Sequence, residues 1–582
     1  MTTHQTPVMD EEVLKQQVSH MESTTEYHVD HQQPLYPEEP KLHLKTFLVL
    51  FSVAMLNFAQ LYNILALGAF GRNISTLLGD SGNAVWLSQS VAVCTAVLAP
   101  VFSRGSDLFG RKYFVVLGCA AGFVGDLIVS RATSMNMAIA GAAISGISYG
   151  AQPLAYAIPS EIVPRKYRVI ANLFANVAGG IGAVIALLVG STLMRNNHDE
   201  KFRILFYISA AIYAVSALIC QALYSPPRLD SQVGSVSQRL GYMDWVGYGL
   251  FGGALTGITM GLTWGKNPCK LSDGWGSAHV LAPLLIGVAL AIALAIHQWK
   301  FRPDGVFDRH IFSKSRNPAI ALVAVAIEGA AFFCITNYFP TVAGVAFETD
   351  LRRVTTMLSI GFFTVFAVSP LVGLYSKKFK DLKVLDVAAF IFFAAFFGCM
   401  ISVGLGSGLA IWFFPILFGL GLACGLTGIM AAAQFGAPAD SIATVSALVI
   451  SFRSLGGSIG LAVCTAIYST KLSHELPTQI ASRVIPLGFN PQYLGMLIGG
   501  LADQNPALLG SIPGISPAII GAGVTGLKQA FINSTKGVWY FGLAVSCVGA
   551  LICVFIQNLT QEYTAEIDHP IEKPEVNHKE FA

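Results

Sequence analysis

Residues Ser103–Gly118 read SRGSDLFGRKYFVVLG, and Arg104, Asp107, Arg111 and Lys112 fall within the first ten of them. The rest of the chain has little charge to spare. Of 582 residues, 54% are hydrophobic and only 12% charged, against roughly 25% charged in a soluble domain. Mean hydropathy is +0.60. Long apolar runs flank the stretch, and about 20 mostly apolar residues suffice to cross the ~30 Å of hydrocarbon in a bilayer. The four charges therefore mark a turn at the water boundary between two membrane helices. The fold class is an all-α polytopic membrane protein in a lipid bilayer. A net charge of +3 and the lack of a basic groove-forming stretch give no footing for nucleic acid.

Working outward, fourteen apolar runs emerge: 45–69, 84–103, 113–131, 135–158, 169–193, 203–224, 243–264, 278–299, 318–339, 355–375, 384–404, 409–431, 441–468 and 537–557. Connections are short except for residues 469–536. With the N-terminus in the cytosol, the short inner loops hold seventeen Lys and Arg and the short outer loops nine. That bias puts both termini inside. The sequons at Asn73 and Asn533 fall on the expected outer face as candidate glycosylation sites, whereas the one at Asn558 falls inside. The expected division is a disordered cytosolic tail over 1–44, a six-helix bundle over 45–224, an inserted helix pair over 225–317, a second bundle over 318–557 with the long outer loop 469–536, and a cytosolic tail over 558–582. The N-terminal tail lacks the apolar core of a signal peptide.

Nine of the ten cysteines lie inside apolar runs and only Cys269 lies in a loop, so the thiols read as small packing residues. No metal or cofactor is expected. The HVDH at His28–His31 is a chance cluster in a polar tail.

The stretch SRGSDLFGRK resembles the signature loop of the major facilitator superfamily, G-x-x-x-D-x-x-G-R-K. Asp107, Gly110, Arg111 and Lys112 match, and Ser103 stands at the first glycine. PSEIVPRKYR (Pro159–Arg168) and AAAQFGAPADSIATVSALVISFRSLGGSIGLAV (Ala431–Val463) extend the likeness. Together they resemble the fourteen-helix drug:proton antiporters, fungal trichothecene-efflux-pump-like group, over residues 45–557. The resemblance implies a 6+2+6 arrangement in which 243–299 is the inserted pair. It also implies a cytosolic gate in which Asp107 sits near a helix N-terminus and Arg111 pairs with a neighbouring carboxylate. Two family features are missing. Ala142 and Ser145 stand where the fourth helix usually carries its R-x-x-Q-G polar residues, and the fifth helix, NVAGGIGAVIALLVG, has no proline. GLYSKKFKDLK, after the tenth run, reads as a decayed copy of the signature loop.

Charges inside hydrocarbon need a reason. Glu328 lies roughly 15 Å and Arg453 roughly 18 Å into their runs at 1.5 Å per residue. Both sit at the depth where transporters place their sites. They are the proton-coupling candidates, with a static buried pair as the alternative. Asp126 is expected near the outer interface. Asn57, Gln60 and Asn63, with Tyr149, Gln152 and Tyr156, are candidates to line a substrate cavity or to bond neighbouring helices. SLGGSIG (Ser454–Gly460) follows no strand, so it is packing, not a nucleotide loop.

No ATPase motif is present, which leaves a gradient as the energy source. The leading expectation is a proton-driven exporter of small amphipathic compounds, monomeric, in the plasma membrane or a vacuolar or vesicle membrane. Siderophore-iron import is the alternative. A polytopic enzyme is disfavoured because no His or Asp cluster occurs at one face, and a receptor because the runs number fourteen.

Overall fold

A computed structural model describes residues 44–79, 83–194, 201–224, 235–264, 276–302, 305–348, 350–438, 441–502 and 506–564. The tail with His28–His31 and the loop cysteine Cys269 lie outside the described residues.

The first half comprises α1 (Leu44–Leu77), α2 (Val85–Phe109), α3 (Arg111–Ser130), α4 (Met135–Gly146), α5 (Gln152–Ile162), α6 (Arg168–Leu193) and α7 (Phe202–Leu223). The fourth apolar run forms both α4 and α5, joined by a 3-10 stretch over Ile147–Ala151. Pro153 explains the break, since it has no N–H to give to the carbonyl of Tyr149. A short α8 (Val236–Gly241) leads into the hairpin α9 (Trp245–Trp264) and α10 (Ala278–Lys300). The second half comprises α11 (Asn317–Val342), α12 (Leu351–Phe379), α13 (Leu382–Ile401), α14 (Phe414–Gly436) and α15 (Ile442–Val484). It ends with two short helices, α16 (Leu494–Ala502) and α17 (Pro506–Gly510), and then α18 (Pro517–Cys553). Side-chain caps fix several starts: Ser134 accepts from the Met137 N–H, Asp350 from Arg352, Asp381 from Val384 and Ser516 from Ile519.

Among the described residues, twelve helices are long and apolar enough to cross a membrane. The two further runs read from the sequence do form helices but fall outside that set. One is the interrupted α4–α5. The other is α9, whose hydropathy is diluted by six glycines and three threonines. The connection expected over 469–536 is largely helical instead. α15 and α18 run into it from both ends and pack on α16 around a small core of Ile480, Val484, Leu497, Leu501 and Ile519. Hydropathy missed these extensions because a helix leaving the bilayer turns amphipathic and no longer reads as an apolar run.

The halves meet along two seams, α2 against α15 and α6 against α12. The α9–α10 hairpin leans on α2 and α15, with Trp86 near Trp264 at 6.2 Å and Phe307 near Phe452 at 5.8 Å. All nine cysteines among the described residues are free. The thiols of Cys334 and Cys464 meet at 2.8 Å between α11 and α15.

Candidate functional site

The quoted stretch folds as the corner between α2 and α3. Gly110 has φ 106° and ψ 131°, a conformation that side-chain-bearing residues avoid, so the corner needs glycine there. The corner holds Arg111 inward, where it is nearly buried. Its guanidinium pairs with Glu161 at the end of α5 and lies 3.5 Å from Asp107 one turn back. Lys112, by contrast, is half-exposed. Glu161 is part of PSEIVPRKYR, but its partner was invisible in the sequence because the two are fifty residues apart in the chain. Around the same face the halves touch through neutral groups. Asn172 Nδ2 donates to Gln434 Oε1 at 3.1 Å, Ser160 Oγ lies 3.1 Å from the same oxygen, and Asn176 Nδ2 donates to Thr427 Oγ1 at 2.9 Å.

Deeper in the second half, Glu328 and Arg453 are each the twelfth residue of α11 and α15. Both lie about 17 Å from their helix starts at 1.5 Å per residue. Arg453 Nε donates to Glu328 Oε2 at 2.6 Å and a terminal nitrogen donates to Oε1 at 3.1 Å. Glu328 is fully buried and Arg453 nearly so. The fork-on-fork geometry is the strong form of this contact. The Phe332 ring covers the guanidinium at 4.5 Å from its centroid. A Cβ on Gly329 would run into the Arg453 carbonyl, so glycine is what lets α11 and α15 approach closely enough to pair these side chains. Tyr156 of the first half lies within electrostatic reach of both charges, and its hydroxyl donates to Asn176 Oδ1 at 2.7 Å. Tyr156, Asn176 and Thr427 thus form a polar thread across the seam.

The remaining cavity candidates serve mainly to join helices of the first half. Asn57 Nδ2 donates to the Ala175 carbonyl at 2.7 Å, and Gln152 approaches Asn57 Oδ1 at 3.4 Å. Gln60 Nε2 donates to the Ser148 carbonyl at 2.8 Å, and the Tyr149 hydroxyl donates to the Gln60 carbonyl. Of the six, Tyr156 is the one that belongs to the thread crossing between halves. Asn73 and Asn533 of the two sequons lie in continuous helix, Asn533 Nδ2 donates to Glu475 Oε2 at 3.0 Å, and Ser75 and Thr535, the third residues of the two sequons, are fully buried. A glycan acceptor belongs on a surface loop.

Residues 44–461 match the model of the Major Facilitator Superfamily. The chain belongs to the major facilitator superfamily. It is a multi-pass membrane transporter, not an enzyme. The facilitator is 23% identical over 548 residues to "Efflux pump FUS6" of Gibberella moniliformis, covering 92% of each chain. It is 20% identical over 538 residues to "Trichothecene efflux pump TRI12" of Fusarium sporotrichioides, covering 91% of this chain and 89% of the relative. Among solved structures, the proton:xylose symporter XylE bound to 6-bromo-6-deoxy-D-glucose shares the fold, with a TM-score of 0.51 at 12% identity. That match covers 90% of this chain and 97% of the other.

The facilitator also carries buried acidic groups that the sequence did not locate. Asp126, expected near the interface, is fully buried. α3 is covered by α4 and α7. Asn63 Nδ2 donates to Asp126 Oδ1 at 2.6 Å, and the hydroxyls of Ser145 and Ser209 lie beside the same carboxyl. Ser145 is one of the two residues that replace the usual polar positions of the fourth helix. Asp386 on α13 is fully buried against Gly428 of α14, and neither of its oxygens has a hydrogen-bond partner among the described residues. Spacing along α3 and α13 gave no signal for either, because burial here depends on which neighbouring helix covers each face.

Proposed function

We propose that this facilitator is a proton-coupled exporter of small amphipathic organic compounds of the fungal toxin, secondary-metabolite or drug type. It works in the plasma membrane as fourteen spans arranged 6+2+6, with both termini in the cytosol. The names of the relatives support export. The observation that carries coupling is the buried bidentate Glu328–Arg453 pair beside Tyr156. A carboxylate paired this way at mid-depth can release its partner when it takes a proton, and alternating access changes which side supplies that proton. The Asp107–Arg111–Glu161 corner acts as a gate on the signature-loop face. All three residues belong to the first half, so the corner fixes the shape of that half's side of the gate while the neutral contacts to Gln434 and Thr427 are the ones that part.

The test is Glu328→Gln in a strain that exports a labelled substrate. Glutamine mimics the protonated acid permanently. The expected result is retained exchange of labelled for unlabelled substrate, with accumulation driven by a pH gradient lost. If Glu328→Gln combined with Arg453→Gln still pumps against a gradient, the pair is a structural brace and coupling lies elsewhere.

A further inference from the structure

Beyond the last membrane helix the chain does not simply leave the molecule. Asn317 at the start of α11 and Gln557 exchange two hydrogen bonds, at 2.8 and 2.9 Å, which pin the strand emerging from α18 to the second half. Asn558 Oδ1 accepts from the Lys383 N–H at 3.4 Å. A single 3-10 turn, Thr560–Glu562, then crosses the signature-loop face. Glu562 stands between cations of the two halves: Lys314 Nζ at 2.8 Å, just before α11, and Arg165 at 3.9 Å, between α5 and α6. The Thr564 carbonyl accepts from the Lys166 N–H at 2.9 Å. Tyr563 packs on Phe435 with ring centroids 4.8 Å apart, and its hydroxyl hydrogen-bonds Ser376 at 3.0 Å. Phe435 itself lies under the Arg168 guanidinium, 5.6 Å from its centroid.

These contacts divide unequally. Lys383, Ser376, Phe435 and Asn317 belong to the second half, and Lys314 lies in the segment that Ser315 ties to it through the Gly436 carbonyl, whereas Arg165 and Lys166 belong to the first. We propose that residues 559–564 are a latch that travels with the second half and clasps the first, holding the signature-loop face shut. The proposal rests on the reading of the protein as an alternating-access transporter. Rocking the halves apart breaks the Arg165–Glu562 and Lys166–Thr564 contacts. It leaves Glu562 paired with Lys314 and Tyr563 seated on Phe435. The latch therefore has a satisfied resting place in both states, as a switch element requires. Tyr563 sits on Phe435, the residue after Gln434, whose side chain meets Asn172 and Ser160, so the latch adds to that closure and does not duplicate the Asp107–Arg111–Glu161 corner. Its ion pairs are partly exposed, and such pairs are individually weak. The latch biases the equilibrium and does not lock it.

The experiment uses the full chain in membrane vesicles with the signature-loop face exposed. A reporter, Asn172→Cys, is labelled with a membrane-impermeant maleimide, and the same protein without the reporter gives the background from native thiols. Stopping the chain after residue 558 is expected to raise reporter labelling about three- to tenfold, and Glu562→Gln about twofold, as expected for losing one or more weak contacts. Labelling needs neither substrate nor a proton gradient, so its outcome is independent of the export reading. A second arm joins Lys166→Cys to Thr564→Cys, whose backbones meet at 2.9 Å, by mild oxidation. Reporter-free protein carrying this cross-link should stop transporting and should recover with reductant. Unchanged labelling in the truncated chain, or a cross-linked protein that transports at the reduced rate, overturns the latch. So does labelling that rises equally from the opposite face, which signals general loosening.

Discussion

The first and fifth helices of each half cross at close range, yet different chemistry joins them. In the first half α1 meets α6, and the absence of a side chain at Gly182 admits the Phe58 carbonyl. A neutral bond from Asn57 to the Ala175 carbonyl ties them. In the second half α11 meets α15 through Gly329, and the tie is the Glu328–Arg453 ion pair. A neutral amide bond has no titratable state to change. An ion pair loses most of its attraction when the acid is protonated. Two helix pairs of similar packing thus differ in kind: one joint is tied by neutral groups, and the other by a carboxylate and a guanidinium.

The largest effect should come from breaking the charged joint. Arg453→Gln leaves Glu328 buried without its partner, at a cost of about 3–5 kcal/mol. Asn57→Ala removes one neutral bond and should cost about 1 kcal/mol. Thermal unfolding of the purified protein, followed by size-exclusion chromatography, separates these. The double change at Glu328 and Arg453 should recover most of the loss. Equal melting shifts for Arg453→Gln and Asn57→Ala would erase the contrast between the joints.

A second contrast of the same kind lies at the corners between the second and third helices of each half. Gly110 closes one at φ 106°, and Lys380 closes the other at φ 53°. Lys380 is the one non-glycine residue with positive φ among the described residues. The two corners occupy matching places in the two halves, but only one has glycine at its positive-φ position. Gly110→Ala should cost about 1–3 kcal/mol. Lys380→Gly should gain about 1 kcal/mol by relieving the left-handed strain. Chemical denaturation of both variants reads the opposite signs, and matching signs would mean the corners are not equivalent.

The smallest effect belongs to the hairpin outside both halves. Burial opposes the charge on Asp244, yet hydrogen bonds from His297, the Gly247 N–H and Gln298 hold its carboxyl below the usual carboxylate range. A depressed value contributes stability that is present above the ordinary carboxylate pKa and is lost as pH falls through the folded one. The wild-type protein should therefore lose stability at the acid end of its range. Asp244→Asn should flatten that acid slope, with a loss of at most about 1 kcal/mol at neutral pH because asparagine still caps α9. An unchanged acid slope would separate the hairpin's stability from this cap.

How much the sequence revealed depended on the question. Apolar runs report contact with lipid, so most helices and the charged corner could be read directly. Glu328 and Arg453 stood out because charge inside an apolar run is costly, and their similar depth left a static buried pair as the alternative to coupling. Glu161, Asp126 and Asp386 did not stand out in the same way. Whether a polar residue is covered depends on which helix lies against it, and spacing along one strand of sequence carries no record of that. The latch was hidden for the same reason: TQEYT looks like any polar tail until Tyr563 is seen against Phe435.

The extension of α15 has a mechanical consequence. Forty-three residues make a rod about 65 Å long. Its signature-loop end lies at the seam, and its far end is braced against α18 by the small apolar core. Each degree that the second half tilts about its base sweeps the tip by about 1 Å. This makes the knob around Val484 a pointer on a dial: a fluorophore there would magnify a rotation too slight to see at the gate into a distance change readable in a single molecule.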